Sequence, residues 1–346
     1  MKQNGSGSNG RVLQGYIYSS FGDLKYLKHA VTSVITLRRY DKKRPVALFC
    51  TEEHRDHLRK HNLEGIFDQV SPLKSEHASI VGFKHNLHHY MPFACNLFLD
   101  SDIIWCKSPE RLWSSLTAHP VTVTGTQMSD NFFGAPKHVG VIKDILFKNR
   151  QRTLDRFGLT YLSRVQTGMI YAEDRQLVRK LCETAATFLS RIGETHFQSR
   201  LLESGRDEES CEWSLAMAMS KLDIPVYPWL QGQTSPQLDF IDSYTSYDDG
   251  FYNVECLYYS DTFVYNLRGL KTGWLRKFLI SLFSVIPGKG DHLKVTPYCL
   301  HFGWYHQKRP FLEFSDKVWD SLTEGKDVMN RLIFQQEERE AEQQGV

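Results

Sequence analysis

The strongest constraint on this chain is an apolar run, Ala94 to Leu99, that stops on Asp100-Ser101-Asp102 and resumes at Ile103-Ile104-Trp105. A run this short and apolar reads as a buried strand. Carboxylates at its end must meet solvent, a donor or a cation, because an unpaired buried charge is costly. The surrounding pattern alternates strand and helix. Strands are expected at 12–19, 46–50, 68–71 and 94–99, and helices at 24–40, 52–62 and 84–90. Later strands are expected at 121–124, 168–172, 226–229 and 298–300, and helices at 176–192, 213–222 and 274–286. Alternation of this kind predicts an α/β fold, a mostly parallel sheet with helices on both faces. Asp100 then falls at the carboxyl end of a strand, where open α/β sheets bind ligands.

Residues two apart in extended chain project to one side, roughly 6.6 Å from each other. Two carboxylates so placed repel unless a cation sits between them, and all-oxygen ligation suits Mg²⁺ or Mn²⁺ carrying substrate phosphates. The alternative is a turn with two solvated aspartates, which the apolar runs on both sides disfavour. Other motifs fail. Gly5-Ser6-Gly7-Ser8-Asn9-Gly10 spells GxGxxG but precedes the first strand, where no helix follows to hold a pyrophosphate. P-loop, HExxH, GxSxG and zinc spacings are absent from the sequence. His85, His88 and His89 lie on one expected helix, where 85 and 89 are spaced to chelate a metal, but a partly exposed helix face is the expected reading.

The 42 basic and 40 acidic residues leave a charge of +2, without the basic excess of a nucleic-acid binder. Seven cysteines show no CxxC pair and lie in apolar runs, the pattern of buried thiols in a reducing compartment. No stretch reaches the ~18 apolar residues of a membrane span. These features predict a cytoplasmic protein. Residues 274–286, with Lys271 and Lys289 flanking, read either as a helix covering the core or as an interfacial helix making peripheral membrane contact. The expected organisation is a flexible leader (1–10), one domain (11–315, with 271–290 as the amphipathic surface helix) and a C-terminal helix with charged tail (316–346). The 44 aromatic residues serve a core, but some can stack on bases or sugars.

The strand ending in D-x-D resembles the GT-A glycosyltransferases that use nucleotide-sugar donors, glycosyltransferase family 8 and its nucleotide-diphospho-sugar transferase relatives most of all. Tyr16-Ile17-Tyr18-Ser19-Ser20 and Tyr26 are similar to the family's first strand and nucleotide-binding loop. Lys84 resembles a basic residue facing the donor phosphates. Gln166-Thr167-Gly168-Met169-Ile170-Tyr171 resembles the N-x-G segment beside the donor sugar, with Gln166 in place of Asn. Glu212-Trp213-Ser214-Leu215-Ala216 resembles a D-E/Q-x-x-L segment near the reaction centre. His301-Phe302-Gly303 and Lys308-Arg309-Pro310 look like the H-F-x-G-x-x-K-P motif, one residue longer than usual. The likeness covers roughly 12–312.

The resemblance implies a GT-A (Rossmann-like) mixed sheet with a helical C-terminal elaboration. It implies a metal-dependent enzyme moving a hexose from a UDP-sugar to a glycan, lipid-linked or protein acceptor with retention. Asp100, Asp102 and His301 would hold Mn²⁺ or Mg²⁺. Tyr18, Ser19, Ser20, Tyr26, Lys84, Asp100, Ser101, Gly303 and Lys308 would contact the donor, with Trp304 and Tyr305 adjoining. Glu212, Gln166 and Glu209 are the candidate catalytic groups, and the Asp207-Glu208-Glu209 run leaves open which carboxylate reaches the site. His306 and Arg309 are alternatives to Lys308. An inverting transferase, a sugar-nucleotide nucleotidyltransferase and a non-catalytic nucleotide- or carbohydrate-binding module remain open. Acceptor specificity is expected from loops 71–81, 129–155 and 231–253.

Overall fold

The computed structural model describes residues 14–126, 139–203, 207–228, 237–239, 245–259, 270, 272–285, 292–303 and 308–324. The first half runs β1 (Gln14–Ser20), α1 (Lys25–Arg38), β2 (Val46–Cys50), α2 (Glu52–Lys60), β3 (Gln69–Pro72), α3 (Ile80–Lys84), β4 (Cys95–Leu99), β5 (Ile103–Trp105), α4 (Glu110–Leu116) and β6 (Val121–Thr126). There follow α5 (Val139–Leu146), α6 (Asn149–Phe157), β7 (Arg164–Ala172), α7 (Arg175–Ser190), α8 (Glu212–Lys221), β8 (Val226–Pro228), β9 (Gln237–Asp239), β10 (Thr245–Tyr247), β11 (Val254–Tyr259), α9 (Gly273–Ser284), β12 (His292–Val295), β13 (Cys299–His301) and α10 (Arg309–Thr323).

Seven strands form the central sheet in the order β3-β2-β1-β4-β7-β6-β8. Only β7 runs against the others, pairing antiparallel with both β4 and β6. This is the mixed, mostly parallel α/β sheet that the strand–helix alternation predicts. Burial on both faces follows from the strand period of two. Tyr16, Tyr18, Leu97, Leu99, Met169 and Tyr171 enter one core with α1 and α10. Ile17, Phe98, Ile170 and Ala172, one residue out of step, enter the other with α7 and α8. Two small three-stranded sheets, β10-β11-β12 and β5-β13-β9, complete the described strands.

Several expected elements differ. The helix expected at 84–90 does not form: α3 ends at Lys84, where the expected helix was to begin, and a single tight turn follows at Leu87–His89. Asn86 closes α3 by donating its amide to Gly82 O at 2.9 Å, a local bond that competes with helix continuation. The partly exposed helix face expected for His85, His88 and His89 does not form: His85 and His88 are buried, and His85 Nε2 lies 3.1 Å from Ser214 Oγ. The stretch 231–253, expected as loop, contains β9 and β10, and 129–155 contains α5 and most of α6. The polar composition of 237–239 and 245–247 obscured β9 and β10, whereas α5, rich in Val, Ile and Leu, was legible and overlooked. The C-terminal helix starts at Arg309 rather than 316, with Pro310 in its first turn, where a missing N–H has no consequence. Its Phe311, Phe314, Val318 and Trp319 join the first core. The leader 1–10 and the tail beyond 324 lie outside the described residues. No described helix is long and apolar enough to cross a membrane.

Candidate metal and nucleotide site

Asp100 and Asp102 meet one point because the chain changes sheets between them. β4 ends at Leu99, paired with Tyr18 of β1 and Met169 of β7, and Asp100 N–H continues the ladder to Gly168 O at 2.9 Å. Three residues later β5 joins the small sheet, where Ile103 lies opposite His301 of β13. Phe302 N–H donates to Asp102 O at 3.0 Å, so β13 is tied to the second aspartate directly.

The side chains converge accordingly. His301 Nε2 lies 3.1 Å from Asp102 Oδ1 and 3.5 Å from Asp100 Oδ2. Lys84 Nζ reaches Asp100 Oδ1 at 2.8 Å and donates to Thr167 Oγ1 at 2.8 Å. Lys308 Nζ reaches Asp102 Oδ2 at 2.7 Å. Burial pushes both carboxyls up, but the lysine charge beside each, with the His301 contacts, outweighs it and holds both below the usual range. Burial likewise works against the ammonium of Lys84 and of Lys308, yet Asp100 and Asp102 respectively raise them above the ordinary lysine value. The four groups are therefore charged throughout the neutral range.

Gln166 orients the imidazole. Its Oε1 accepts from Gly168 N–H at 2.9 Å, so its NH₂ faces His301 Nδ1 at 2.6 Å. With Nδ1 accepting, neutral His301 carries its proton on Nε2, aimed at the carboxylates. Gly168 is required by this packing. A Cβ there would stand 2.8 Å from His301 Cε1 and 2.9 Å from Gln166 Oε1.

Asp100, Asp102 and His301 each offer a ligand atom within 4.8 Å of the others, the one such acidic or imidazole group of three among the described residues. Two carboxylates and an imidazole suit a divalent ion of the Mn²⁺ or Mg²⁺ kind, with the ion taking the place of the Nε2 proton. Were Nε2 to ligate an ion, the ring proton would sit on Nδ1, and Gln166 would have to turn its oxygen to the ring and release Gly168 N–H.

The other expected residues divide. Tyr26 is 40% exposed at the start of α1 and stands over His29, with ring centroids 6.0 Å apart. Ser19 and Ser101 are half-buried and Gly303 is exposed. Tyr18 requires correction as a stacking residue. It is fully buried, with its hydroxyl 2.9 Å from Ser33 Oγ and accepting from Trp105 Nε1 at 3.4 Å. On a strand covered on both faces its ring points into the core. Ser20 is also buried and bonds His54 Nδ1 at 2.8 Å. Arg309 turns to Glu313 at 2.8 Å on an exposed face.

Of the acidic run, Glu208 Oε2 accepts from Ile80 N–H at 3.0 Å, while Glu209 accepts from Ser199 and from Arg200 N–H. Glu212 faces the cluster instead, accepting from Thr167 Oγ1 at 3.4 Å and from Ser210. Trp304, Tyr305 and His306 lie outside the described residues. Sequence reasoning missed Thr167, the link between Lys84 and Glu212, and His29. Burial holds the His29 imidazole down, to about 4, beside Asp102 and Lys308. Thr167 was visible in Gln166-Thr167-Gly168; nothing local marks His29.

No family model matches the sequence, and no curated protein matches it. Among solved structures, the apo-form glycosyltransferase GlyE of Streptococcus pneumoniae TIGR4 is 13% identical over 91% of this chain and 63% of its own, with a TM-score of 0.46. The galactosyltransferase LgtC, in complex with donor and acceptor sugar analogs, is 11% identical over 90% and 95%, with a TM-score of 0.42. The bifunctional glycosyltransferase WbbM is 13% identical over 90% and 50%, with a TM-score of 0.43. The present chain thus spans less than two thirds of GlyE and half of WbbM. All three are glycosyltransferases. Likenesses this remote leave substrate and reaction to the site's own geometry.

Proposed function

We propose that the chain is a GT-A glycosyltransferase that transfers a hexose from a UDP-sugar to an acceptor hydroxyl with retention, in a reducing, cytoplasmic setting. The observation that carries this reading is the convergence of Asp100, Asp102 and His301 with Lys84 and Lys308 at the carboxyl end of β4. Departure of a nucleoside diphosphate needs positive charge where the leaving oxygens gain negative charge. A divalent ion held by Asp100, Asp102 and His301 would supply Lewis acidity to that diphosphate. Lys84 and Lys308 give fixed positive charge on either side of it. Tyr26 offers an exposed ring face for the base. Gln166 and Glu212 line the segment where the donor sugar belongs, Glu212 as an anion next to a centre that becomes positive. Burial of all seven cysteines as free thiols supports the reducing compartment.

A second reading draws on the ion pairs themselves. Each carboxylate already has a lysine at 2.7–2.8 Å, so the two ammonium groups could neutralise the diphosphate without an ion. A donor screen separates these readings and the binding-module alternative. UDP-glucose, UDP-galactose and their relatives are incubated singly with Mn²⁺ or with chelator, and UDP release is measured. Ion-dependent hydrolysis of one donor supports the proposal, and hydrolysis that persists in chelator supports the lysine reading. Donor binding without turnover with any acceptor sinks the enzyme assignment, and an inverted anomeric product sinks retention.

A further inference from the structure

The helix α9 carries an apolar face that stays exposed among the described residues. Trp274 is 72% exposed, Phe278 57%, Leu282 49% and Val285 75%. At 100° per residue these four fall within about 80° of one another, one stripe along the helix. Leu275, Leu279 and Phe283, which continue the same arc from about 100° to 180°, are half-buried. The helix therefore keeps one half of its apolar arc partly covered and leaves the other half exposed. Single exposed apolar residues are ordinary, but an aligned stripe headed by a tryptophan marks a contact surface.

The sign of the charge selects the occupant. Between Asp261 and Asp291 the sequence holds five basic residues (Arg268, Lys271, Arg276, Lys277 and Lys289) and no acidic one. Over the whole chain basic and acidic residues nearly balance, 42 to 40. A second copy would bring the same excess of basic residues and no complementary charge, whereas an anionic surface supplies it. An apolar stripe with tryptophan, set in a basic stretch, suits the headgroup boundary of a bilayer, where the ring lies at the interface and lysine or arginine meets lipid phosphate.

We infer that α9 docks the protein on anionic membrane by inserting Trp274, Phe278, Leu282 and Val285 at the lipid interface. The Asp100 site plays no part in this contact, so its test is separate from that of the reaction. Full-length protein is sedimented with phosphatidylcholine vesicles and with vesicles containing phosphatidylglycerol, at low and high salt. Partition is expected onto the anionic vesicles, weakened by salt. It should fall on the order of a hundredfold in a Trp274→Ser/Phe278→Ser/Leu282→Ser variant. Because the three side chains are exposed, that variant keeps its circular dichroism spectrum and melting temperature. No partition onto anionic vesicles overturns the inference, as does equal partition of native and variant. A dimer formed by native protein without lipid, and lost in the variant, assigns the face to a second copy and overturns it too.

Discussion

Two charged networks sit at opposite ends of the parallel strands, and they are built differently. At the amino end Asp41, 3% exposed, accepts from Tyr16 Oη at 2.7 Å, from the amides of Lys43 and Arg44 at 3.0 and 3.1 Å, and from Arg44 Nη1 at 2.8 Å. Arg44 also reaches Gln14 at 2.7 Å and grips Glu110 through both Nη atoms at 2.8 and 2.9 Å. Trp113 Nε1 donates to Tyr16 Oη at 2.8 Å. Backbone amides from the same loop hold this carboxylate, so its place is fixed as soon as the loop forms. At the carboxyl end Asp100 and Asp102 meet only side chains among the described residues, drawn from α3, β13 and the start of α10. Flexible lysine arms can turn to a phosphate; a backbone amide cannot. The first network is built to stay; under the proposed function the second would exchange partners.

Substitutions should separate the two. The largest effect belongs to Asp102→Asn, which should weaken ion-dependent UDP binding by about a thousandfold, beyond the 10–100-fold typical of outer partners; Lys308 and His301 lose their carboxylate as well, so the melt falls with it. Asp41→Asn should lower stability alone. Breaking one side of a buried pair costs about 3 kcal/mol, seen as a lowered denaturation midpoint, with UDP affinity per folded molecule unchanged. If Asp41→Asn instead lost binding at full stability, the contrast would fail.

Gly168→Ala forces a methyl against His301 and Gln166. It should weaken ion binding by tens of fold and cost about 1–3 kcal/mol through overpacking, both readable from one thermal shift series with and without Mn²⁺. Gln166→Glu sharpens the contrast from the other side. A carboxylate there accepts from Gly168 N–H and from His301 Nδ1–H together, so no amide needs to turn. Mn²⁺ affinity should rise about tenfold.

The smallest effect is in acid. Asp41 is held below the usual carboxylate value: burial raises it, but the Tyr16 and Arg44 hydrogen bonds prevail. A depressed folded value gives stability that is fully present above the unfolded value of about 4 and lost as pH falls through the folded one. The stability gap between native and Asp41→Asn should therefore be flat from pH 7 to 5 and shrink only below about 4. Urea titrations across that range would show it; a gap already shrinking at pH 6 would contradict it.

How much of this was legible in sequence depended on distance along the chain. Strand β2 and the helix α8 followed from local apolar pattern within a residue or so. The D-S-D step was legible because strand end and carboxylates are contiguous. Its partners come from 16 residues before Asp100 and about 200 after it, and only family likeness placed Lys84, His301 and Lys308 beside it. Likeness misplaced Tyr18, because strand register decides which ring faces the core and a motif does not carry register. Glu212 could not be told from Glu208 and Glu209 until loop geometry gave those two backbone amides to accept from.

The account stands on the carboxyl-end cluster being an exchangeable ion and diphosphate site. Calorimetric titration of the native chain with UDP, once with Mn²⁺ and once with chelator, tests that most directly. The expected result is binding in Mn²⁺ that disappears in chelator and in Asp102→Asn. Equal affinity in chelator, or native affinity in Asp102→Asn, would contradict it.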